Sequence, residues 1–192
     1  MQENNIYLFV GLGNIGAQLD KTHHNLGFMC VDKIIDKFNF SNHEVKFKAD
    51  LYTGTIDGKK VIIAKPRTYM NSSGIAAAQI KNFYKIHIEN IFVFHDDLDL
   101  EFCRVKIKLG GSSGGHNGIK SIDENIGKNY NRIRLGIGRP EHKDDVINFV
   151  LKKFNSDELK QIDILTDKIA DNVTELFKDN KDNFINKIHT EQ

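Results

Sequence analysis

A histidine and an aspartate in this sequence have the residue types and positions of a general base and its partner. His24 lies in the segment Thr22-His23-His24-Asn25, and Asp96 follows the apolar residues 91–94. A neutral imidazole is the natural general base near neutral pH, and a paired carboxylate fixes its tautomer and stabilises the imidazolium. The pair predicts hydrolysis by water that His24 activates. A histidine that only helps to begin a helix is the alternative.

Three asparagines beside glycine or other small residues are candidates for substrate contacts. Asn14 and Asn71 each follow an apolar segment closely, and Asn117 lies in a glycine-rich stretch. An amide side chain has donors and an acceptor, so it can bind a peptide-like group or stabilise an oxyanion. A role in turns alone is the alternative, because asparagine is a common turn residue.

Two other chemistries compete with hydrolysis by activated water. The sequence Gly11-Leu12-Gly13-Asn14-Ile15-Gly16 matches the G-x-G-x-x-G phosphate fingerprint of dinucleotide-binding proteins. The acids at the expected distance, Asp32 and Asp36, fall inside a predicted helix, so the motif lacks its usual context. A metal cluster is the second competitor, with candidate ligands His95, Asp96, Asp97, Asp99 and His116. A solvated acidic turn explains Asp97 and Asp99 equally well.

A covalent nucleophile has no sequence signal. The chain contains no G-x-S-x-G motif, and neither Cys30 nor Cys103 has a flanking motif for a reactive thiol. Their separation predicts buried free thiols.

Basic residues share one face of two predicted strands. Arg104, Lys106 and Lys108 alternate along the first strand, and Arg132 and Arg134 alternate along the second. The glycine-rich residues 110–118 lie between them, and their backbone amides can approach phosphate. The net charge is only +1, so a nucleic-acid partner requires such a local patch. An ordinary solvated strand face is the alternative.

The elements that position these groups predict an α/β protein. The 192 residues, 40% apolar, suit one domain over residues 1–192, and no apolar run is long enough to span a membrane. The N-terminus lacks the features of a secretion signal. We expect a three-layer domain, a twisted mixed sheet flanked by helices, with a C-terminal amphipathic helix. Strands are predicted at residues 6–10, 45–55, 60–64, 91–94, 104–109 and 132–137, with a hairpin turn at Asp57-Gly58. Helices are predicted at about 26–38, 73–84, 119–126 and 156–177, with a helical tail around Phe184 and Ile188.

The ordered motifs of this chain resemble those of bacterial peptidyl-tRNA hydrolases. They span nearly the whole sequence: GLGNIG, THHN, KPRTYMNSSG, HDDLDL, KLGGSSGGHNG, RIRLGIGRP and FVL. The resemblance implies an esterase that cleaves the bond between a peptide's C-terminal carboxyl group and the 3′ ribose of tRNA. It also implies a cytoplasmic, monomeric, single-domain enzyme that requires no metal or cofactor and has no membrane partner.

The resemblance also implies roles for individual residues. His24 is expected to activate water, Asp96 to orient it, and Asn14 to bind the peptide end and help reject a free amino group. The expected substrate contacts are Leu19, Tyr69, Met70, Asn71, His116 and Asn117. Lys108 and Arg134 are expected to bind a tRNA phosphate.

This chain departs from the family pattern at four places. Ile15 replaces a proline, Leu19 a tyrosine and His23 an arginine, while Glu101-Phe102-Cys103 replaces a Pro-x-Gly turn. A positive φ at Cys103 is expected to strain the backbone if that turn is retained.

Overall fold

The computed structural model describes residues 5–190. The prediction that the N-terminus lacks a secretion signal rests partly on residues 1–4, which lie outside this range. Within that range the chain forms a seven-stranded sheet and six α-helices. The strands are β1 (Ile6–Gly11), β2 (Asn42–Lys46), β3 (Ala49–Ile56), β4 (Lys59–Pro66), β5 (Ile91–Asp97), β6 (Val105–Leu109) and β7 (Asn131–Gly136). The helices are α1 (Leu26–Lys37), α2 (Ser73–Tyr84), α3 (Asn117–Ile126), α4 (Val146–Val150), α5 (Ser156–Asp171) and α6 (Asp182–His189).

The sheet is mixed, as the sequence predicts. Its strand order is β2-β3-β4-β1-β5-β7-β6, and the four adjacent strands β4, β1, β5 and β7 are parallel. The pairs β2–β3, β3–β4 and β6–β7 are antiparallel. Because the parallel strands end at one edge, the residues that follow them meet there.

Two hydrophobic cores lie on opposite faces of the sheet. Side chains alternate along β1, so Phe9 packs in one core while Leu8 and Val10 pack in the other. The Phe9 side contains apolar residues of α1, α5 and α6, and the opposite side contains those of α2 and α3. This arrangement confirms the predicted three-layer α/β fold.

Two predicted elements are wrong in their bounds. Residues 45–55 do not form one strand, because a tight turn at Phe47 and Lys48 separates β2 from β3. These residues have φ values of 54° and 57° without the glycine or asparagine that usually marks such a hairpin. The helix predicted to Phe177 ends at Asp171. The Asn172 side chain there donates to the Lys168 carbonyl at 2.8 Å, and a 3₁₀ turn follows.

The turn at Cys103 has the predicted strain. Cys103 has a φ of 63°, a left-handed conformation that costs a residue with a Cβ about 1–2 kcal/mol. Its N–H donates to the Gly136 carbonyl at 3.0 Å, so the turn is hydrogen-bonded to the end of β7.

Close packing at Gly27 sets the position of α1 against the sheet. A Cβ at Gly27 would lie 2.2 Å from the Phe94 carbonyl oxygen and 2.6 Å from the Leu12 nitrogen. This approach brings the start of α1, and the turn that precedes it, to the carboxyl ends of β1 and β5. None of the helices in residues 5–190 combines the length and apolar composition needed to cross a membrane.

Candidate active site

A cleft of about 410 Å³ opens at the carboxyl edge of the parallel strands. Most of the predicted site residues line it: Asn14, His24, Tyr69, Met70, Asn71, Asp96, His116 and Asn117. They come from the segments after β1 and β4, the end of β5, the turn before α1 and the start of α3. The shared edge of the parallel strands therefore brings together residues that are far apart in the sequence.

Asp96 lies between two histidines at the base of the cleft. His24 Nδ1 is 3.0 Å from both Asp96 carboxylate oxygens, and His116 Nε2 is 2.9 Å from Oδ1. The Asp96 side chain is only 2% exposed. The carboxylate is thus removed from water and bound on both sides by imidazoles.

Backbone hydrogen bonds determine which nitrogens carry protons. His116 precedes α3 and caps it, because its Nδ1 accepts from the N–H groups of Gly118 and Ile119 at 3.1 and 3.3 Å. His116 Nε2 therefore carries the proton and donates to Asp96. An ionised carboxylate only accepts, so His24 Nδ1–H also donates to it. Neutral His24 is left with a lone pair on Nε2, the atom required for a general base.

The charges in this cluster shift its pKa values in opposite directions. Burial alone would raise the pKa of Asp96, but His24 and His116 outweigh burial and hold that pKa well below its usual range. Burial lowers the pKa of His24, whereas the charge and hydrogen bond of Asp96 raise it, with a net rise above 6.5. Burial, together with His116, lowers the pKa of neighbouring His95 to about 3, so His95 stays neutral.

Asn14 is held by an amide that the sequence reasoning did not assign. Asn25 Oδ1 accepts from the Asn14 backbone N–H at 2.8 Å, and Asn25 Nδ2 donates to the Asn14 carbonyl at 2.9 Å. Asn14 Oδ1 in turn accepts from the Met70 N–H at 3.1 Å, which leaves its Nδ2 donors for a ligand. In the sequence, only the position of Asn25 directly after His24 indicates that Asn25 belongs to the site.

The remaining predicted contacts differ in exposure. Met70 is buried beneath the cleft, whereas Asn71, Asn117 and Tyr69 are exposed, and Tyr69 is 83% exposed. Leu19 does not line the cleft. It ends a 3₁₀ turn, where its carbonyl accepts from Thr22, and it lacks the ring and hydroxyl that a tyrosine would extend from this position.

Part of the cleft lining is apolar. Val146, Ile147, Val150 and Leu151, on and just after α4, form this part, and Ile147 is 72% exposed. In the sequence this segment had only the signature of a short apolar element. The cleft therefore has polar lining residues and also a part suited to apolar groups.

The adjacent histidine faces a different environment. His23 is 4% exposed and packs between Phe149 and Phe154, with ring centroids 4.5 and 4.4 Å away. It does not line the cleft. Of the two neighbouring imidazoles, His24 is the one that contacts Asp96.

The geometry disfavours both competing chemistries. Ligand atoms of His24, Asp96 and His116 lie within 4.8 Å of one another, close enough to hold a metal ion. However, a metal would need the lone pair of His116 Nε2, and the donors at Nδ1 fix a proton on Nε2. The glycine fingerprint also lacks the helix it requires, because 3₁₀ turns follow Gly16 and α1 begins only at Leu26.

A second, smaller pocket of about 120 Å³ adjoins the cleft and contains the predicted phosphate ligands Lys108 and Arg134. The two pockets share His95, Asp97, Ser113 and Gly114. Arg132 also borders the small pocket, but its buried guanidinium donates to Asp123 and to the Gly111 and Ser112 carbonyls. Arg132 therefore holds the glycine-rich loop to α3.

The two other acids of this segment differ in exposure: the Asp97 side chain is only 13% exposed, whereas that of Asp99 is 45% exposed, as expected for a solvated turn. Asp97 forms an ion pair with Arg134, and Asp99 forms one with Arg139.

Comparison with known proteins identifies the family of this chain. The peptidyl-tRNA hydrolase family profile matches residues 8–192. The peptidyl-tRNA hydrolase of Pelagibacter ubique is 47% identical over 182 residues, covering 95% of this chain and 98% of the relative. That of Wolbachia pipientis is 46% identical over 185 residues, covering 95% of this chain and all of the relative. The crystal structure of peptidyl-tRNA hydrolase from Acinetobacter baumannii superposes with a TM-score of 0.91 and 36% identity, covering 100% of this chain and 98% of that one. This chain therefore belongs to the peptidyl-tRNA hydrolase family.

Proposed function

We propose that this protein hydrolyses the ester between the C-terminal carboxyl group of a peptide and the 3′ ribose of tRNA. The observation that carries the proposal is the imidazole–carboxylate pair of His24 and Asp96 in a cleft with both polar and apolar lining residues. Membership of the peptidyl-tRNA hydrolase family supports the choice of substrate.

His24 acts as the general base in this proposal. Its Nε2 takes a proton from water as the water oxygen attacks the ester carbonyl carbon. Asp96 stabilises the resulting imidazolium, which then gives the proton to the departing ribose 3′ oxygen. The products are a peptide with a free carboxylate and a tRNA with a free 3′ hydroxyl group.

Amide donors stabilise the negative charge that develops on the carbonyl oxygen. Asn71 and Asn117 line the cleft, and their side chains have no hydrogen-bond partner among residues 5–190. Asn14 presents its Nδ2 donors from a backbone that Asn25 holds in place. We assign Asn14 and Asn71 to the peptide side of the substrate, with Asn71 also donating to the developing charge, and Asn117 to positioning the substrate and the water. Tyr69, Met70 and His116 complete the substrate site.

The small pocket binds a phosphate of the tRNA through Lys108 and Arg134. Lys108 is exposed at the edge of the pocket, and Arg134 is half-buried within it. A cation pair beside the cleft is a suitable site for the backbone of a nucleic acid in a protein with little net charge.

We also propose that residues 1–192 act as one hydrolase domain, as a cytoplasmic monomer. The continuous sheet and the family match over residues 8–192 support the single domain. Light scattering at working concentration tests the monomer, and a dimer mass would contradict it.

Release of peptide from purified peptidyl-tRNA in the presence of EDTA tests the activity most directly. We expect full hydrolysis with chelator. The absence of hydrolysis by the folded protein would contradict the proposed function, and loss on chelation alone would favour a metal mechanism.

A further inference from the structure

Asp97 and Arg134 form an ion pair in the wall between the two pockets. Arg134 Nε lies 2.7 Å from Asp97 Oδ2, and their side chains are 22% and 13% exposed. The pair follows from sheet geometry, because Arg134 on β7 is in register with His95 on β5. Side chains two residues apart on a strand share a face, so Asp97 lies on the same side as Arg134, whereas Asp96 faces away from it.

Both carboxylate oxygens of Asp97 are occupied. Oδ2 accepts from Arg134 Nε, and Oδ1 accepts from the backbone N–H of Asp99 at 2.8 Å. The second contact fixes the carboxylate within its own turn. The Asp97 carboxylate is therefore fixed in place, and it accepts a hydrogen bond from Arg134 only at Nε.

The other edge of the Arg134 guanidinium remains available. Its two Nη groups have no hydrogen-bond partner among the described residues 5–190, and the side chain borders the small pocket. The guanidinium of Arg132 differs, because both of its Nη groups bond to the loop or to Asp123. A guanidinium held at Nε with free Nη groups is arranged to donate to phosphate.

We propose that Asp97 is a positioning residue for phosphate binding: it orients Arg134 so that the free Nη groups face a tRNA phosphate in the small pocket. This inference rests on the proposed function. In this proposal the Asp97 carboxylate favours phosphate binding because it orients Arg134. Repulsion between the carboxylate and the phosphate, acting alone, would weaken binding. The two effects make opposite predictions for the neutral variant Asp97→Asn.

The test measures tRNA binding and hydrolysis separately. Affinity for deacylated tRNA is measured by fluorescence anisotropy over a range of salt concentrations, and KM and kcat are measured with peptidyl-tRNA. We expect Asp97→Asn to weaken binding and raise KM about tenfold or more, as when one charge-assisted hydrogen bond is lost, with little change in kcat. The salt slope should fall by about one, as for loss of one phosphate contact.

A double variant tests whether Asp97 acts through Arg134. If it does, Asp97→Asn combined with Arg134→Ala binds tRNA no more weakly than Arg134→Ala alone. Asp97→Glu should restore part of the affinity because it retains the carboxylate. The matched control is Asp163→Asn, which removes a carboxylate from an exposed ion pair with Lys33 on another surface and should change nothing.

Unchanged or tighter binding by Asp97→Asn, or additive losses in the double variant, would overturn the proposal. Equal melting temperatures for Asp97→Asn and wild type exclude a folding defect. If Asp97→Asn unfolds, the tRNA affinity of Asp97→Glu is compared with that of wild type instead. Failure of the proposed function would be seen in a different measurement: the wild-type protein would bind tRNA but would not release peptide from peptidyl-tRNA.

Discussion

The two adjoining pockets share a wall but hold their ionisable groups in different ways. In the cleft, Asp96 accepts from two imidazoles, and backbone N–H groups fix the tautomer of one of them. In the small pocket, Lys108 is exposed and Arg134 is held through one hydrogen bond. The ionisable groups Asp96, His24 and His116 of the cleft are thus bonded to one another, whereas Lys108 and Arg134 of the small pocket keep charged donors free.

This difference matches the two tasks that we propose. Proton transfer needs a lone pair at a defined place, so the cleft fixes each nitrogen. Phosphate binding needs positive charge within reach, and a flexible lysine supplies it without a fixed geometry. Changes in the cleft should therefore lower kcat, and changes in the small pocket should raise KM and reduce the dependence on salt.

Loss of the general base should have the largest effect. We expect His24→Ala to lower kcat by at least about 10²–10⁴-fold, because the variant lacks the Nε2 lone pair that accepts the proton from water. The adjacent His23→Phe is the control, since His23 packs between two phenylalanines outside the cleft. Single-turnover hydrolysis of peptidyl-tRNA measures both, and a near-wild-type kcat in His24→Ala would rule out this mechanism.

The partner carboxylate should matter nearly as much, with an additional effect on pH dependence. Asp96→Asn is expected to lower kcat about 10²–10³-fold, because its amide can donate to His24 Nδ1 and so favour the tautomer with a proton on Nε2.

Protonation of His24 removes the base, and Asp96 raises the pKa of His24 above 6.5. Activity in the wild type should therefore fall as the pH drops through a value above 6.5. In Asp96→Asn this fall should move to lower pH, because the imidazolium has lost its carboxylate. A pH profile of kcat/KM checks this, and an unshifted profile would mean that another group titrates.

An amide donor in the cleft should contribute less than the base. We expect Asn71→Ala to lower kcat about 10²-fold or slightly less, as when one donor to an oxyanion is removed. Asn82→Ala is a matched control, because Asn82 is an exposed asparagine on α2, the helix that follows Asn71. Equal rates for the two variants would remove Asn71 from the site.

The sequence predicted the cleft better than the small pocket. In the sequence, Asn14, Asn71 and Asp96 come soon after apolar segments, and these segments form the parallel strands β1, β4 and β5, which end at one edge of the sheet. Their partners were harder to find. Asn25 acts through its side chain on the backbone of Asn14, a contact that no periodicity encodes.

The acidic residues after β5 show why the rest was missed. The apolar run ends at Phe94, but the strand continues to Asp97 because its neighbour β7 extends the hydrogen bonding. Alternation along those added residues sends Asp96 to the cleft and Asp97 to Arg134. If residues 95–97 are assigned to a turn, Asp97 is expected to be a solvated charge. Its ion pair with Arg134 follows only when β5 is extended to Asp97, and the amino-acid composition does not indicate that extension. Arg132 and Arg134 likewise look equivalent in the sequence, and only packing separates the buried residue from the half-buried one.

The smallest expected effect is confined to the small pocket. Lys108→Ala should raise KM for peptidyl-tRNA several-fold and reduce the salt slope by about one, while kcat for an ester of a nucleoside without phosphate stays the same. Lys160→Ala is the control, because Lys160 is an exposed lysine on α5. Steady-state kinetics at several salt concentrations measure all three quantities. If Lys108→Ala impaired both substrates equally, the lysine would be supporting the loop at Gly111, against which its side chain packs, and the division of tasks between the two pockets would fail.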